Sequence, residues 1–442
     1  MSKPKRPQGR GKPSSDRRTN TRTDYARMTA AKTLEVVPSD GVSLDEAFDR
    51  RAEGLSPRDR GFAWRLARAA MRYHGPLQHL MTEMLERGRS GVPPFVQAVL
   101  RLGLTDLLIL ETPAHAAVST TVNLLGTRST HRYRGMVNAV LRRADRERET
   151  FRAMLDAQPA IPHWLAERWR EQWGEAEVAL FDQVLRQEAP VDLCLAGKNE
   201  DLSEVASKLP TGQWRFADGF SAWQDSDLGQ TGRWWVQDFG ANQPIFALGD
   251  VKGQTAIDLC SAPGGKTLQL VQAGADVTSV DSSAARLKRV HQNLERTGLK
   301  AAVKQADVMK YSHKPVDLVV LDAPCSASGT FRKNPEAPWL RSPTTLLEHV
   351  KVQAKMLDKA IALVKPGGTL LYIVCSLEKA EGEEQAEAFL GRHDNVSLVP
   401  FLAEDLALPE TLTDQGTIRI LPSHYADNGG VDGFFAARFR VA

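Results

Sequence analysis

The residues of this 442-residue chain best suited to chemistry are two thiols and a glycine turn. Cys325 ends the stretch "LDAPC" and Cys375 ends "LYIVC", so each follows an apolar run and each is followed by serine. A thiolate is a soft nucleophile and can later depart, which suits a reaction that makes and then breaks a bond to carbon. The turn lies in "DLCSAPGGKT", Asp258 to Thr267, where Gly264 and Gly265 let a ligand come close to the backbone. Cys194 and Cys260 complete a set of cysteines spaced 50 to 66 residues apart, with no C-x-x-C pair and no histidine at ligand spacing. That pattern argues against a metal site or a disulfide framework and for thiols in a reducing compartment.

Two familiar phosphate loops fail at the turn. A P-loop ends as Gly265, Lys266 and Thr267 do, but its first glycine would fall at Cys260, and the dinucleotide fingerprint lacks its third glycine. What remains is a tight Pro263-Gly264-Gly265 turn with acidic neighbours at strand ends: Asp258, Asp281 and Asp307. Carboxylates suit ribose hydroxyls and a cation, and suit a triphosphate badly. The combination points to S-adenosylmethionine, an adenosine with a sulfonium and no phosphate.

These groups need a frame that brings distant segments to one edge. "TAIDLC", "DVTSVD", "AAVKQAD", "VDLVVLDAP" and "GTLLYIVCS" read as short buried strands, and helical segments such as "SAARLKRVHQNLERTG" separate them. Such alternation predicts a doubly wound α/β sheet with ligands at the carboxyl ends of its strands. In the strand order usual for methyltransferases the fourth and fifth strands are neighbours, so Cys325 and Cys375 should face one pocket. Amino-group methyltransferases carry [DN]-P-P-[YFW] at the fourth strand, whereas here "DAPC" has a thiol. Carbon 5 of cytosine is not nucleophilic, and an enzyme alkylating it must first add a nucleophile at carbon 6, a task for a thiolate.

Upstream, the pattern from about 26 to 149 is helical. Ser43 with Glu46, and Ser56 with Pro57, read as helix starts, and apolar stripes follow in "FVQAVLRLGLTDLLIL" and "RGMVNAVLRRADRE". Residues 150–235 read as a small α+β linker domain, with helix in "PHWLAERWREQWG", a strand in "PVDLCLAG" and a helix in "DLSEVASKLP". Residues 1–24 carry eight Lys and Arg against Asp16 and Asp24, a net +6 within a chain total of +3. A disordered basic tail over 1–25 follows. With no run of about 18 apolar residues and no secretion signal in "MSKPKRPQGR", a cytoplasmic protein without membrane segments is expected.

"DLCSAPGGKT", "DAPCSASG", "NPEAPWLR", "YIVCSL" and "DGFFAARFR" resemble the successive motifs of the RsmB/NOL1/NOP2/Sun family of RNA 5-methylcytosine methyltransferases. "LRLGLTDLLILETPAHAAVSTTVNLL" with "GMVNAVLRR" resembles the helical RNA-binding domain of the NusB type. The resemblance implies a Rossmann-like class I methyltransferase domain over 236–442, preceded by a NusB-like all-α domain over 26–149 and the linker domain. It implies Cys375 as the nucleophile at carbon 6, Cys325 as the thiol assisting proton removal and enzyme release, and Asp322 as a hydrogen-bonding partner of the cytosine edge. S-adenosylmethionine would lie against Cys260, Ser261, Ala262, Pro263, Gly264, Gly265 and Lys266, with Asp281, Arg286, Asp307 and Asp322. Val374 departs from the Thr that often precedes the family nucleophile, while Cys260 and Cys194 read as packing. The implied substrate is small-subunit (16S) rRNA, acted on by a monomer without metal, and the basic tail then reads as an accessory phosphate-binding arm. Transfer RNA and large-subunit rRNA stay open as substrates. A non-catalytic RNA-binding assembly factor would be expected to lack Cys375, Cys325 or the loop glycines, all present here.

Overall fold

The computed structural model describes residues 15–86, 88–197 and 200–442, the side chains of 15–24, 38 and 39 excepted. Two compact units divide the chain, the second beginning at His163.

The first unit is all helix among its described residues. Its centre is the helix Pro94–Leu108, buried along nearly its whole length with Arg101, Thr105 and Asp106 among its buried residues, which meets the helices Ser15–Asp40, Pro57–Arg72, Ala114–Asn123 and Arg134–Arg146. Gly103 makes room for one of these crossings, since a Cβ there would lie 2.8 Å from Leu141 and 2.9 Å from Thr121. The expected caps are present: Ser43 accepts from the Glu46 N–H, and Ser56 accepts from Asp59 N–H ahead of Pro57. Two differences from the sequence reading concern boundaries. Helix begins at Ser15, inside the span read as a disordered tail, of which residues 1–14 lie outside the described residues. The helix Arg148–Asp156 belongs to this unit rather than to the linker region read from 150.

The second unit opens with helices His163–Trp173 and Glu175–Arg186, then a four-stranded antiparallel sheet. Its strands are β1 (Val191–Leu195), β2 (Ser207–Lys208), β3 (Trp214–Phe216) and β4 (Trp234–Val236), in the order β2-β3-β1-β4. The helix expected in "DLSEVASKLP" is absent. That stretch turns so that Leu202 and Leu209 are buried and Ser207–Lys208 pairs along β3, and the sheet overrides local helix propensity.

The larger sheet holds β5 (Thr255–Leu259), β6 (Asp276–Asp281), β7 (Ala302–Gln305), β8 (Val316–Asp322), β9 (Val364–Val374), β10 (Val396–Leu398), β11 (Ile418–Ile420) and β12 (Phe434–Val441). The order is β10-β12-β9-β8-β5-β6-β7, with β11 on β12. Strands β5 to β9 are parallel, and β12 is antiparallel to β9, β10 and β11. Buried side chains alternate between the two faces: Ile257, Leu259, Val319, Leu321 and Tyr372 on one, Ala256, Val320, Leu371 and Ile373 on the other. Strand order reverses at β5, with β6 on one side and β8 on the other, so the crevice opens at the carboxyl ends of these three. Among the described residues no helix is long and apolar enough to cross a membrane.

Candidate active site

The glycine turn joins β5 to the helix Gly265–Gln272. Cys260 and Gly264 both take positive φ, 58° and 105°, which bends the chain sharply between strand and helix. Asp281, at the end of β6, holds the bend from outside: its Oδ2 accepts from the Ala262 N–H at 3.2 Å, and its Oδ1 accepts from Ser283 N–H at 2.9 Å. Arg286 sits 3.2 Å from the same Oδ2 and donates to the Ala262 carbonyl at 2.7 Å. Beneath the turn, Asp258 is fully buried, with Oδ2 accepting from Thr267 Oγ1 at 2.6 Å and Oδ1 without a partner. Burial pushes the Asp258 carboxyl up to about 7.

The turn is lined with acid. The Cys260 thiol is pushed up to about 12, first by burial and then by the carboxylates of Asp322, Asp281 and Asp258. Two of these carboxylates are paired, Asp281 with Arg286 and Asp322 with Lys266, and they leave acceptor oxygens suited to ribose hydroxyls rather than to a triphosphate. The residues therefore fit the adenosine sulfonium anticipated from the sequence. Among the described residues no cluster of His, Cys, Asp and Glu could hold a metal ion.

Lys266 and Asp322 link the turn to the thiols. Lys266 Nζ donates to Asp322 Oδ2 at 2.7 Å and lies 5.4 Å from the centre of the Phe434 ring. Burial works to lower the lysine pKa, but Asp322, Asp258 and Cys375 outweigh it and keep the ammonium charged. Three residues beyond Asp322, Cys325 comes within 3.4 Å of Cys375, Sγ to Sγ. Register explains the meeting: Asp322 on β8 pairs with Ile373 on β9, so both strands deliver a thiol to the same edge. The Cys325 pKa is raised well above its usual value by its hydrogen bond to Cys375, then by burial, then by the charges of Cys375 and Glu381.

The anticipated residues separate into groups. Lys266, Asp322, Cys325 and Cys375 form one continuous cluster, and Ala262, Asp281 and Arg286 form a second around the turn. Asp307 joins neither through a hydrogen bond; it is exposed past β7, where its Oδ1 caps the Met309 N–H at 2.9 Å. Cys194 is buried in the small sheet against Gln237, with its thiol raised by burial.

Two buried glutamates escaped the sequence reading. Glu378 accepts from Arg168 Nε, from Trp169 Nε1 at 2.8 Å and from Gln172 Nε2 at 3.1 Å, while Trp173 Nε1 donates to the Leu377 carbonyl at 3.1 Å. The helix His163–Trp173 thereby grips the segment that follows Cys375. Glu381, also buried, accepts from Ser326 and Ser376, the residues after each thiol. Two thiols and a lysine–aspartate pair beside the switch point of a parallel sheet define a methyltransferase-type site.

The family model described as 16S rRNA methyltransferase RsmB/F matches residues 245–440, and that of the NusB family matches 24–146. The ribosomal RNA small subunit methyltransferase B of Erwinia tasmaniensis is 31% identical over 436 residues, 93% of this chain and 97% of that one. Its namesake from Salmonella arizonae is 32% identical over 437 residues, with the same coverage. The crystal structure of PH0851 shares the fold, with a TM-score of 0.71 and 24% identity over 95% of this chain and 98% of that chain. The chain belongs to the RsmB/F methyltransferase family, with a NusB domain in front.

Proposed function

We propose that the chain methylates carbon 5 of a cytosine in small-subunit (16S) rRNA, with Cys375 bonded transiently to carbon 6 of that base. The observation that carries this reading is the pair of thiols 3.4 Å apart beside an acid-lined turn. The kind of RNA follows from the relatives' names.

S-adenosylmethionine, when bound, supplies an electrophilic methyl group. The turn Cys260 to Lys266, with Asp281, Arg286 and Asp322, would hold it, and Asp307, exposed past β7, would meet it only at the outer rim. Cys375 gives up its proton to solvent and its thiolate adds to carbon 6, which turns carbon 5 into the nucleophilic end of an enamine. Asp322 meets the cytosine edge, and the Lys266 ammonium at 2.7 Å orients that carboxylate. Forming the adduct also changes Cys325. Once Cys375 is bound to carbon, it no longer offers a charge or a strong acceptor, so two of the influences that held the Cys325 proton disappear. Cys325 then releases its proton to solvent, takes the proton from carbon 5 as a thiolate, and the carbon–sulfur bond to Cys375 breaks. The base must be unstacked to reach the thiols.

The test supplies full-length protein with methyl-tritiated S-adenosylmethionine and small-subunit rRNA, followed by bisulfite sequencing. Label at a cytosine that resists conversion is the expected result. Label on an adenine, a guanine or a ribose would overturn the reading.

A further inference from the structure

Glu381 has no exposed surface; its side-chain hydrogen-bond partners belong to the frame of the thiols, and His349 Nδ1 lies 3.8 Å from its Oε1. Oε1 accepts from the Ser326 N–H at 2.9 Å and from Gln353 Nε2 at 3.0 Å; Oε2 accepts from Ser326 Oγ at 2.6 Å and from Ser376 Oγ. Ser326 follows Cys325 and Ser376 follows Cys375. The same Gln353 amide donates to the carbonyl of Pro324, the residue before Cys325, at 2.9 Å. On the other side Tyr372, near the end of β9, donates its hydroxyl to the Glu381 carbonyl at 2.7 Å. One carboxylate thus bridges two loops that lie 50 residues apart in the chain.

We infer that Glu381 is a positioning residue that sets the separation of the two thiols, a role that rests on the covalent reading above. A buried carboxylate is costly, and as a folding device alone an apolar side chain of its size would serve as well or better. Its replacement here would leave two hydroxyls, a backbone N–H and an amide without their acceptor. The loops would then relax independently, and a displacement of about 1 Å at a reacting group costs about 100-fold in rate. Glu381 touches neither the turn nor Asp322, so cofactor affinity is not its business.

The experiment uses full-length wild type, Glu381→Ala, Glu381→Gln and Ser376→Ala, with three readouts. Dibromobimane, which becomes strongly fluorescent when it bridges two nearby thiols, reports the Cys325–Cys375 separation without any catalysis, and peptide mapping identifies the bridge. S-adenosylhomocysteine binding reports the turn, and methyl transfer to RNA reports kcat. Glu381→Ala is expected to slow bridging by about 10-fold and kcat by about 100-fold, with S-adenosylhomocysteine affinity and the KM for RNA within about threefold of wild type. Glu381→Gln, which keeps an acceptor and the shape, should recover most of the bridging. If Glu381→Ala does not fold, Ser376→Ala reads the same linkage by removing one of its hydrogen bonds, with a smaller loss in both rates. Bridging at the wild-type rate in the Ala variants would overturn the positioning role. Slowed bridging in a protein that never methylates cytosine, wild type included, would uphold it and remove only the covalent reading.

Discussion

The Sγ atoms of Cys325 and Cys375 stand 3.4 Å apart across neighbouring parallel strands. The hydrogen bond to Cys375, then burial, hold the Cys325 thiol well above its usual range. The sequential roles proposed for the two thiols rest on this contact.

The loop carrying Cys325 is threaded tightly against the C-terminal hairpin. Gly329 N–H donates to the Cys375 carbonyl at 3.1 Å, and its own carbonyl accepts from Gly433 N–H at 2.8 Å. A Cβ on Gly329 would fall 1.9 Å from the Gly433 carbonyl oxygen, so backbone would have to move. Gly329→Ala is expected to lower the unfolding free energy by about 3 kcal/mol and to depress methyl transfer with it. Denaturant unfolding checks this; a loss below about 0.5 kcal/mol, as for a neutral surface change, would contradict it.

Trp169 is buried between Phe181 and Phe331, at ring-centre distances of 5.7 and 6.0 Å, and its N–H reaches Glu378. Trp169→Phe keeps an aromatic ring there and removes one of three donors from a buried carboxylate. The expected cost is about 1 to 2 kcal/mol of stability, together with a lower kcat, because Glu378 lies three residues past Cys375, the proposed nucleophile. Parallel chemical unfolding and single-turnover assays would show whether both fall or only the first.

Asp258 provides a pH signature. Its carboxyl holds a proton up to about 7 in the folded chain and releases it near 3.8 when unfolded, so between these values the folded state binds more protons. The contribution of this group to stability is therefore greatest at low pH and is lost as pH rises toward 7. Asp258→Asn cannot ionise and keeps an acceptor for Thr267, so it should gain on wild type as pH goes from about 5 to about 8. Thermal unfolding of the ligand-free proteins at both pH values measures the gap; an unchanged gap would contradict the shift.

The sheet's carboxyl edge was readable because a parallel strand buried on both faces shows as an unbroken apolar run, and the first polar residue after it marks where the strand ends. Asp281, Asp322, Cys325 and Cys375 were all found that way, and their adjacency followed from strand order. Glu378 and Glu381 were not readable. They lie in "LEKAEGEEQ", an acidic run that looks like the solvated start of a helix, and nothing local shows that two of its four glutamates are buried. Their partners lie far off in the chain, 209 residues away for Trp169 and 55 for Ser326. "DLSEVASKLP" misled in the opposite direction, since its helical composition yields to an edge strand and two buried leucines. Asp307, grouped with the pocket as a strand-end acid, lies exposed past β7 with its Oδ1 accepting from the Met309 N–H.

The most direct test of the covalent account compares wild type, Cys325→Ala and Cys375→Ala, each incubated with S-adenosylmethionine and small-subunit rRNA and run on a denaturing gel. With Cys375 attacking and Cys325 needed for release, a slow protein–RNA band should form strongly in Cys325→Ala and be absent from Cys375→Ala, which still binds S-adenosylhomocysteine. Methyl transfer by Cys375→Ala, or a covalent band in that variant instead of the other, would contradict the assignment of the two thiols.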